Sequence, residues 1–213
     1  MVEWSIAAMR AAAGVSSIVV ACPPGHVHDL DGDDLGVVEG GATRSQSVAN
    51  GLEAVGTELV AIHDAARPLL TSHLVEGVVA TLVADPEADG AIAATPVTDT
   101  IKQVREEGSA PAAETRGALT PLYGANAPLA IEKTVDRHRL WAAQTPQVFR
   151  AGALRHALEG DPAQVKSATD EATSIEAAGG RVLIHPAPPG NFKVTTPSDL
   201  KLAAFLLGER SAQ

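Results

Sequence analysis

Val60-Ala61-Ile62-His63-Asp64-Ala65-Ala66-Arg67-Pro68 is the stretch on which the fold turns. Its apolar start, Leu59–Ile62, reads as a buried strand that ends at His63 and Asp64, and Pro68 keeps the strand from simply continuing. In open α/β sheets, ligands bind just beyond the carboxyl ends of the strands. A carboxylate placed there suits a hard cation such as Mg²⁺, which usually shares its shell with substrate phosphates. Arg67 adds a planar fork of donors suited to phosphate or carboxylate. The segment points to metal-assisted chemistry on a phosphorylated substrate. A purely structural reading stands beside it, with Asp64 capping the next turn and Arg67 as its surface ion-pair partner. On this segment alone the two weigh equally.

Outward from this strand the pattern alternates. Met1–Ala13 carries apolar residues at helical spacing and ends at Gly14. Ile18–Ala21 reads as a strand closed by Pro23-Pro24-Gly25, and Gly36–Glu39 as a short strand running into Gly40-Gly41. Ser45–Val55 and Leu74–Val83 read as helices, and Gly90–Thr95 as a strand ending at Pro96. Strands alternating with helices imply an α/β sheet with crossovers. From Thr100 to Ala130 the chain is rich in Ala, Pro, Gly and Glu and has no sustained period. So long an irregular stretch inside a domain points to a functional loop or arm. Beyond it come the phrase Gln144-Thr145-Pro146-Gln147, helices at Ala151–Leu158 and Asp170–Ala178, and strands at Arg181–His185 and Phe192–Val194. The final helix, Asp199–Leu207, opens on Thr196-Pro197-Ser198-Asp199, with Thr at the N-cap, Pro in the first position and an acid in the third.

Composition narrows the classes. At 213 residues the chain can bury one sizeable core of small aliphatic side chains. The formal charge of −10 argues against nucleic acid or an anionic membrane as the main partner. No apolar run reaches the roughly 20 residues that span a bilayer. The N-terminus lacks the pattern of a secretory signal. Cys22 is the only cysteine, which excludes an intrachain disulfide and fits a cytoplasmic location.

Further segments suit chemistry. Gly40-Gly41-Ala42-Thr43-Arg44-Ser45-Gln46-Ser47 joins a strand to a helix, with Thr43 and Gln46 placed as a capping box. The glycines let backbone approach a ligand, and Ser47 is in reach of a base or ribose; the spacing by itself favours a plain capped turn. Lys193 interrupts an apolar strand, where either a substrate phosphate or open water satisfies its charge. Thr134-Val135-Asp136-Arg137 is a polar cluster that contacts substrate or anchors the arm. His26, His28, Asp29, Asp31, Asp33 and Asp34 invite a calcium loop, but Asp34 stands where its glycine belongs and Gly40 where its last acid belongs. A solvated loop is the better reading.

Taken in order, these phrases resemble one family. They are Gly40-Gly41…Arg44…Ser47-Val48, His63-Asp64-Ala65-Ala66-Arg67-Pro68, Asp99-Thr100-Ile101-Lys102, Thr134-Val135-Asp136-Arg137, Leu140-Trp141, Thr145-Pro146-Gln147, Thr169-Asp170-Glu171-Ala172 and Lys193-Val194-Thr195. The set is similar to that of 2-C-methyl-D-erythritol 4-phosphate cytidylyltransferases, over nearly the whole chain. The resemblance implies an α/β fold, a Rossmann-like nucleotidyltransferase sheet flanked by helices, forming a single domain over residues 1–213 with an extended dimerisation arm at about 99–137. It implies transfer of a cytidylyl group from CTP to 2-C-methyl-D-erythritol 4-phosphate, with loss of pyrophosphate, in non-mevalonate isoprenoid synthesis. Mg²⁺ is the implied cofactor and a homodimer the implied assembly, with no nucleic acid or membrane as partner.

Carried over by position, Gly40, Gly41, Ser47 and Asp64 would bind CTP, and Asp64 would hold the metal. Arg67, Thr134, Arg150 and Lys193 would bind the acceptor phosphate, with Asp64, Arg67 and Lys193 as the catalytic set. Two departures stand out. Ala42 replaces an acid that often follows the double glycine, and the family arginine after Thr-Pro-Gln falls on Arg150 or, one residue later, on Ala151. The family's opening strand and Gly-rich triphosphate loop, with its arginine and lysine, have no counterpart before the Met1–Ala13 helix. The expectation from that difference is turnover near background for this chain. Two rival readings are a cytidylyltransferase for another polyol phosphate, such as ribitol 5-phosphate, and a non-catalytic dimeric remnant.

Overall fold

The strands expected before Pro96 all form, each within one residue of its expected ends. The computed structural model describes residues 1–27, 30, 34–105, 130–161, 165 and 168–211. These divide into two units, Met1–Thr95 with Ala143–Gln213, and Pro96–Ala142. His28, Asp29, Asp31 and Asp33 of the acidic loop lie outside the described residues, as does 106–129 of the arm.

The first unit holds strands β1 (Ile18–Cys22), β2 (Leu35–Glu39), β3 (Leu59–Ile62) and β4 (Gly90–Pro96). β7 (Trp141–Arg150) runs into it, and β8 (Val182–Pro186) comes next. Its helices are α1 (Val2–Ala11), α2 (Arg44–Glu53), α3 (Ser72–Val83), α4 (Ala151–Leu158), α5 (Glu171–Ala177) and α6 (Pro197–Ser211). A four-stranded sheet runs β3-β7-β4-β8, and β1 pairs in parallel with β2 in a second sheet. β7 is antiparallel to β3, and β8 is parallel to β4.

Helices cover both faces of the four-stranded sheet. On one side Val75, Val78 and Leu82 of α3 meet Ala91 and Ala93 of β4 and Val148 of β7. On the other, Ile92 and Phe149 meet Leu52 of α2, Leu154 of α4 and Ile175 of α5. Neighbouring residues point to opposite faces of a strand, so a doubly covered strand is apolar along its enclosed length, as β4 is over Gly90–Ala94. Gly90 is required by close approach, because a Cβ there would strike the Phe149 ring. A third cluster joins Leu69 to Ala203 and Leu207 of α6, with Phe192 and Val194 beside it. It clamps the segment carrying Lys193 beneath the turn after β3.

β1 and β3 are less enclosed. Each has one strand neighbour among the described residues. A cavity of about 610 Å³ borders both, lined by Ile6, Val19, Ala61, Val75, Val79 and Val148 among others. No described helix is long and apolar enough to cross a membrane.

The second unit is a ribbon, β5 (Lys102–Arg105) antiparallel to β6 (Ala130–Thr134), with a bulge at Gln103/Val104. The stretch expected to be irregular from Thr100 thus contains a strand. One other expectation changes, and one strand forms where no element was expected. Phe192–Val194 is not a strand; one 2.8 Å bond from the Val194 amide to the Ala66 carbonyl ties it down. Trp141–Arg150 is a strand despite Pro146, and β7 has strands on both sides.

Candidate active site

β3 ends at His63 and Asp64, and hydrogen bonds rather than packing fix the turn beyond it. The Asp64 amide donates to Thr145 Oγ1 at 3.0 Å, and Thr145 Oγ1 lies 3.0 Å from His63 Nδ1. His63 Nε2 lies 3.1 Å from the Arg67 carbonyl. A carbonyl only accepts, so the imidazole proton sits on Nε2, and Nδ1 accepts from the Thr145 hydroxyl. Burial pushes His63 down to about 4, which matches this neutral tautomer. The Arg67 amide closes the turn on the Asp64 carbonyl at 2.9 Å.

The Asp64 carboxylate lies between two cations. Lys193 Nζ donates to Oδ2 at 2.9 Å, while Arg44 Nε and Nη2 both lie 3.2 Å from Oδ1. Burial works to raise the Asp64 carboxyl, but Lys193 and Arg44 outweigh it and hold the group below the ordinary carboxylate range. Arg44 Nη1 also straddles the Glu171 carboxylate, at 2.6 and 2.5 Å. Glu171 is 1% exposed, and its burial pushes its carboxyl upward against the pull of Arg44. The row Lys193–Asp64–Arg44–Glu171 therefore alternates in charge.

The double glycine lies at the start of α2, where the Thr43 half of the expected capping box forms and Gln46 reaches one residue further back. Thr43 Oγ1 accepts the Gln46 amide at 3.2 Å, and Gln46 Oε1 accepts the Ala42 amide at 3.1 Å. The Ser47 hydroxyl accepts the Gly41 amide and donates to the Thr43 carbonyl, each at 3.0 Å. Ser47 thus braces the glycines locally. Gly40 is held to β1 by a 2.7 Å bond from its amide to the Cys22 carbonyl.

The structure thus unites Asp64 and Lys193 and adds Arg44 and Glu171, to which sequence reading gave no role. Arg67 is 9% exposed, and its Nη1 donates to the Asn191 carbonyl at 2.9 Å. Asn191 is itself anchored through Nδ2 to Gln144 Oε1 and the Thr145 carbonyl, at 2.9 and 2.8 Å. Arg150 is not brought to Asp64. It pairs in register with Leu59, at the opposite end of β3, and donates to the Ala88 carbonyl at 3.0 Å. Thr134 belongs to the second unit, where its hydroxyl accepts from Lys102 Nζ at 2.7 Å. The missed residues lie far off in sequence: Glu171 is 127 positions from Arg44, and Thr145 is 82 from His63. No local spacing rule reaches across such distances.

Among the described residues, no three His, Cys, Asp or Glu side chains gather as a metal nest. Asp64 offers one carboxylate, and Mg²⁺ is commonly held by one or two carboxylates with substrate phosphates completing its shell. The donor set fits a cation that arrives with a phosphorylated ligand.

A sheet with helices on both faces, and a charged row at a strand's carboxyl end beside a glycine turn, define the class as an α/β protein with a polar site at a strand end. The model of the 2-C-methyl-D-erythritol 4-phosphate cytidylyltransferase family matches residues 1–123 and 120–209. The chain belongs to that family. A relative of that description from Symbiobacterium thermophilum is 40% identical over 179 residues, covering 83% of this chain and 66% of its own length. The bifunctional enzyme IspD/IspF of Anaeromyxobacter dehalogenans is 36% identical over 205 residues, covering 93% of this chain. The chain spans about half of that relative's length, 48%. The crystal structure of 2-C-methyl-D-erythritol 4-phosphate cytidylyltransferase from Thermus thermophilus superposes with a TM-score of 0.74 at 34% identity, covering 96% of this chain and 87% of that one.

Proposed function

We propose that this chain transfers a cytidylyl group from CTP to 2-C-methyl-D-erythritol 4-phosphate and releases pyrophosphate. The observation that carries the reading is the Lys193–Asp64–Arg44 triad beside the Gly40-Gly41 turn, in a chain that belongs to this family. The acceptor's phosphate oxygen attacks the α-phosphorus of CTP in line, and the bond to the β-phosphate breaks as pyrophosphate leaves. No covalent enzyme intermediate forms. The protein positions the reactants and offsets their charge. Lys193, half-exposed, keeps donors beyond the one that Asp64 takes, and these orient the acceptor phosphate. Arg67 supports it from the turn below, and the Gly40-Gly41 backbone approaches the cytidine. Asp64 would hold Mg²⁺, which when bound would supply charge neutralisation for the departing pyrophosphate.

The active form in this reading is a cytoplasmic homodimer joined through the β5–β6 ribbon. A two-stranded ribbon is marginal alone in water, and Val104 and Ile131, directly paired across it, are exposed. Membership of this family favours methylerythritol phosphate over ribitol 5-phosphate, and an enzyme over a remnant.

Calorimetric titration of CTP and then a pyrophosphate-release assay with each acceptor test the proposal. Release that requires both CTP and methylerythritol phosphate supports it. Preference for ribitol 5-phosphate replaces the acceptor, and CTP binding without release replaces the enzyme with a binding protein.

A further inference from the structure

Glu171 is buried and ionisable, and it faces Arg44, one of the two cations that hold Asp64. We propose that Glu171 is a positioning residue: through Arg44 it sets the orientation of the Asp64 carboxylate and hence the place of the Lys193 ammonium. The inference rests on the cytidylyltransferase reading of the site and adds a residue to it.

The geometry carries the argument. Arg44 uses different nitrogens for the two acids. Nη1 is committed to both oxygens of Glu171, which fixes the guanidinium plane and leaves Nε and Nη2 on Asp64 Oδ1. Oδ2 is thereby left to Lys193. Removing the Glu171 charge frees Nη1, and the guanidinium can then rotate and take both Asp64 oxygens, the usual fork pairing of arginine with a carboxylate. Lys193 would then lose its partner. Glu171 is itself firmly placed. Asp170, next to it, accepts the Thr173 amide at 2.9 Å to cap α5 and accepts Gln147 Nε2 at 2.8 Å, which pins the start of α5 to β7. An acid that served stability alone would need only some cation. This one takes the cation shared with Asp64, and a buried charge left without its partner is strongly unfavourable.

The test compares wild type with Glu171→Gln, using two readouts. In steady-state assays with CTP and methylerythritol phosphate, kcat should fall about 10- to 100-fold, the range for supporting residues behind a functional group. KM for CTP should change little, and Glu171→Asp should recover part of kcat. In NMR spectra of the ligand-free protein, the Lys193 side-chain ¹⁵Nζ and Asp64 ¹³Cγ signals should shift in Glu171→Gln while the core methyl signals stay in place. A folded Glu171→Gln protein with unmoved Lys193 and Asp64 signals overturns the inference, whatever its kcat. If wild type itself releases no pyrophosphate, the activity reading fails, and the NMR comparison still decides whether Glu171 positions Asp64. Should Glu171→Gln not fold, Arg44→Lys breaks the same link, since an ammonium cannot straddle one acid and face the other in this plane. It must shift the Lys193 signal for the inference to stand.

Discussion

β4 and β3 are built from the same kind of residue, small and aliphatic, yet they end in different states. The first five positions of β4 are buried, and the strand lies between β7 and β8 with helices on both faces. Every position of β3 is only half-buried, because one edge meets β7 and the other borders the cavity shared with β1. Composition therefore does not decide how tightly a strand is held; its neighbours do. The Asp64 carboxylate hangs from the looser strand. What holds it is the polar chain Asp64–Thr145–His63–Arg67, whose Thr145 is donated by the well-packed β7. One half of the fold is ordered by packing and the other by hydrogen bonds.

The sharpest way to break this contrast is to truncate one apolar side chain to alanine in each half. Phe149→Ala removes a fully buried ring and should cost about 3–5 kcal/mol in urea unfolding. Val19→Ala, beside the existing cavity, should cost below about 1 kcal/mol, since little new void forms. Comparable losses would show that β1 and β3 are as well packed as β4.

Asp64→Asn asks whether the loosely packed strand end carries the chemistry. Turnover should fall about 10²–10³-fold, as when one transition-state contact is lost, with the urea midpoint nearly unchanged. Near-normal turnover would remove Asp64 from the catalytic set.

The pH dependence of stability tests the hydrogen-bonded half. His63 is held neutral when folded, at about 4, against 6.5 in the unfolded chain. Between those values the unfolded chain takes up a proton that the folded one refuses. Stability should therefore drop as pH falls from about 6.5 to 4, by at most about 1.4 kcal/mol per unit, and this contribution should level off below. Above 6.5 it is fully present. His63→Gln should show a flatter profile over that window when both are measured by urea unfolding. Parallel profiles would mean that the imidazole is not the group refusing the proton.

A local effect lies at the cap of α2. Thr43→Ala should cost about 1 kcal/mol and loosen the Gly40-Gly41 turn. Hydrogen exchange at the Gly41 amide reads this directly, and unchanged protection there would show that Ser47 alone holds the turn.

Much of the fold was legible because it rests on short-range rules. The β3 boundaries, the Thr43 cap and the Thr196–Asp199 cap depend on residues a few positions apart, and each forms. β7 escaped because Pro146, which lacks an amide hydrogen, argues against a strand flanked on both sides. The Lys193 segment misled in the opposite way: its apolar alternation is that of a strand, but the residues serve to pack beneath α6. Asp64 and Lys193 could be suspected singly from a polar residue closing or interrupting an apolar run. Their joining by Arg44, and the backing of Arg44 by Glu171, depend on tertiary contacts that no local pattern encodes.

The first unit is assembled from two separate stretches, Met1–Thr95 and Ala143–Gln213. β3 from one stretch pairs with β7 from the other, and Arg44 and Glu171 meet across the same seam. Covalent continuity between the stretches is therefore not what keeps them side by side. A protease cut between them should leave a nicked molecule that still migrates as one species in native gels and separates only in denaturant. Two co-expressed fragments should likewise find one another. Joining them in one polypeptide then serves mainly to raise their local concentration, an entropic advantage that weakens only slowly as the intervening segment lengthens.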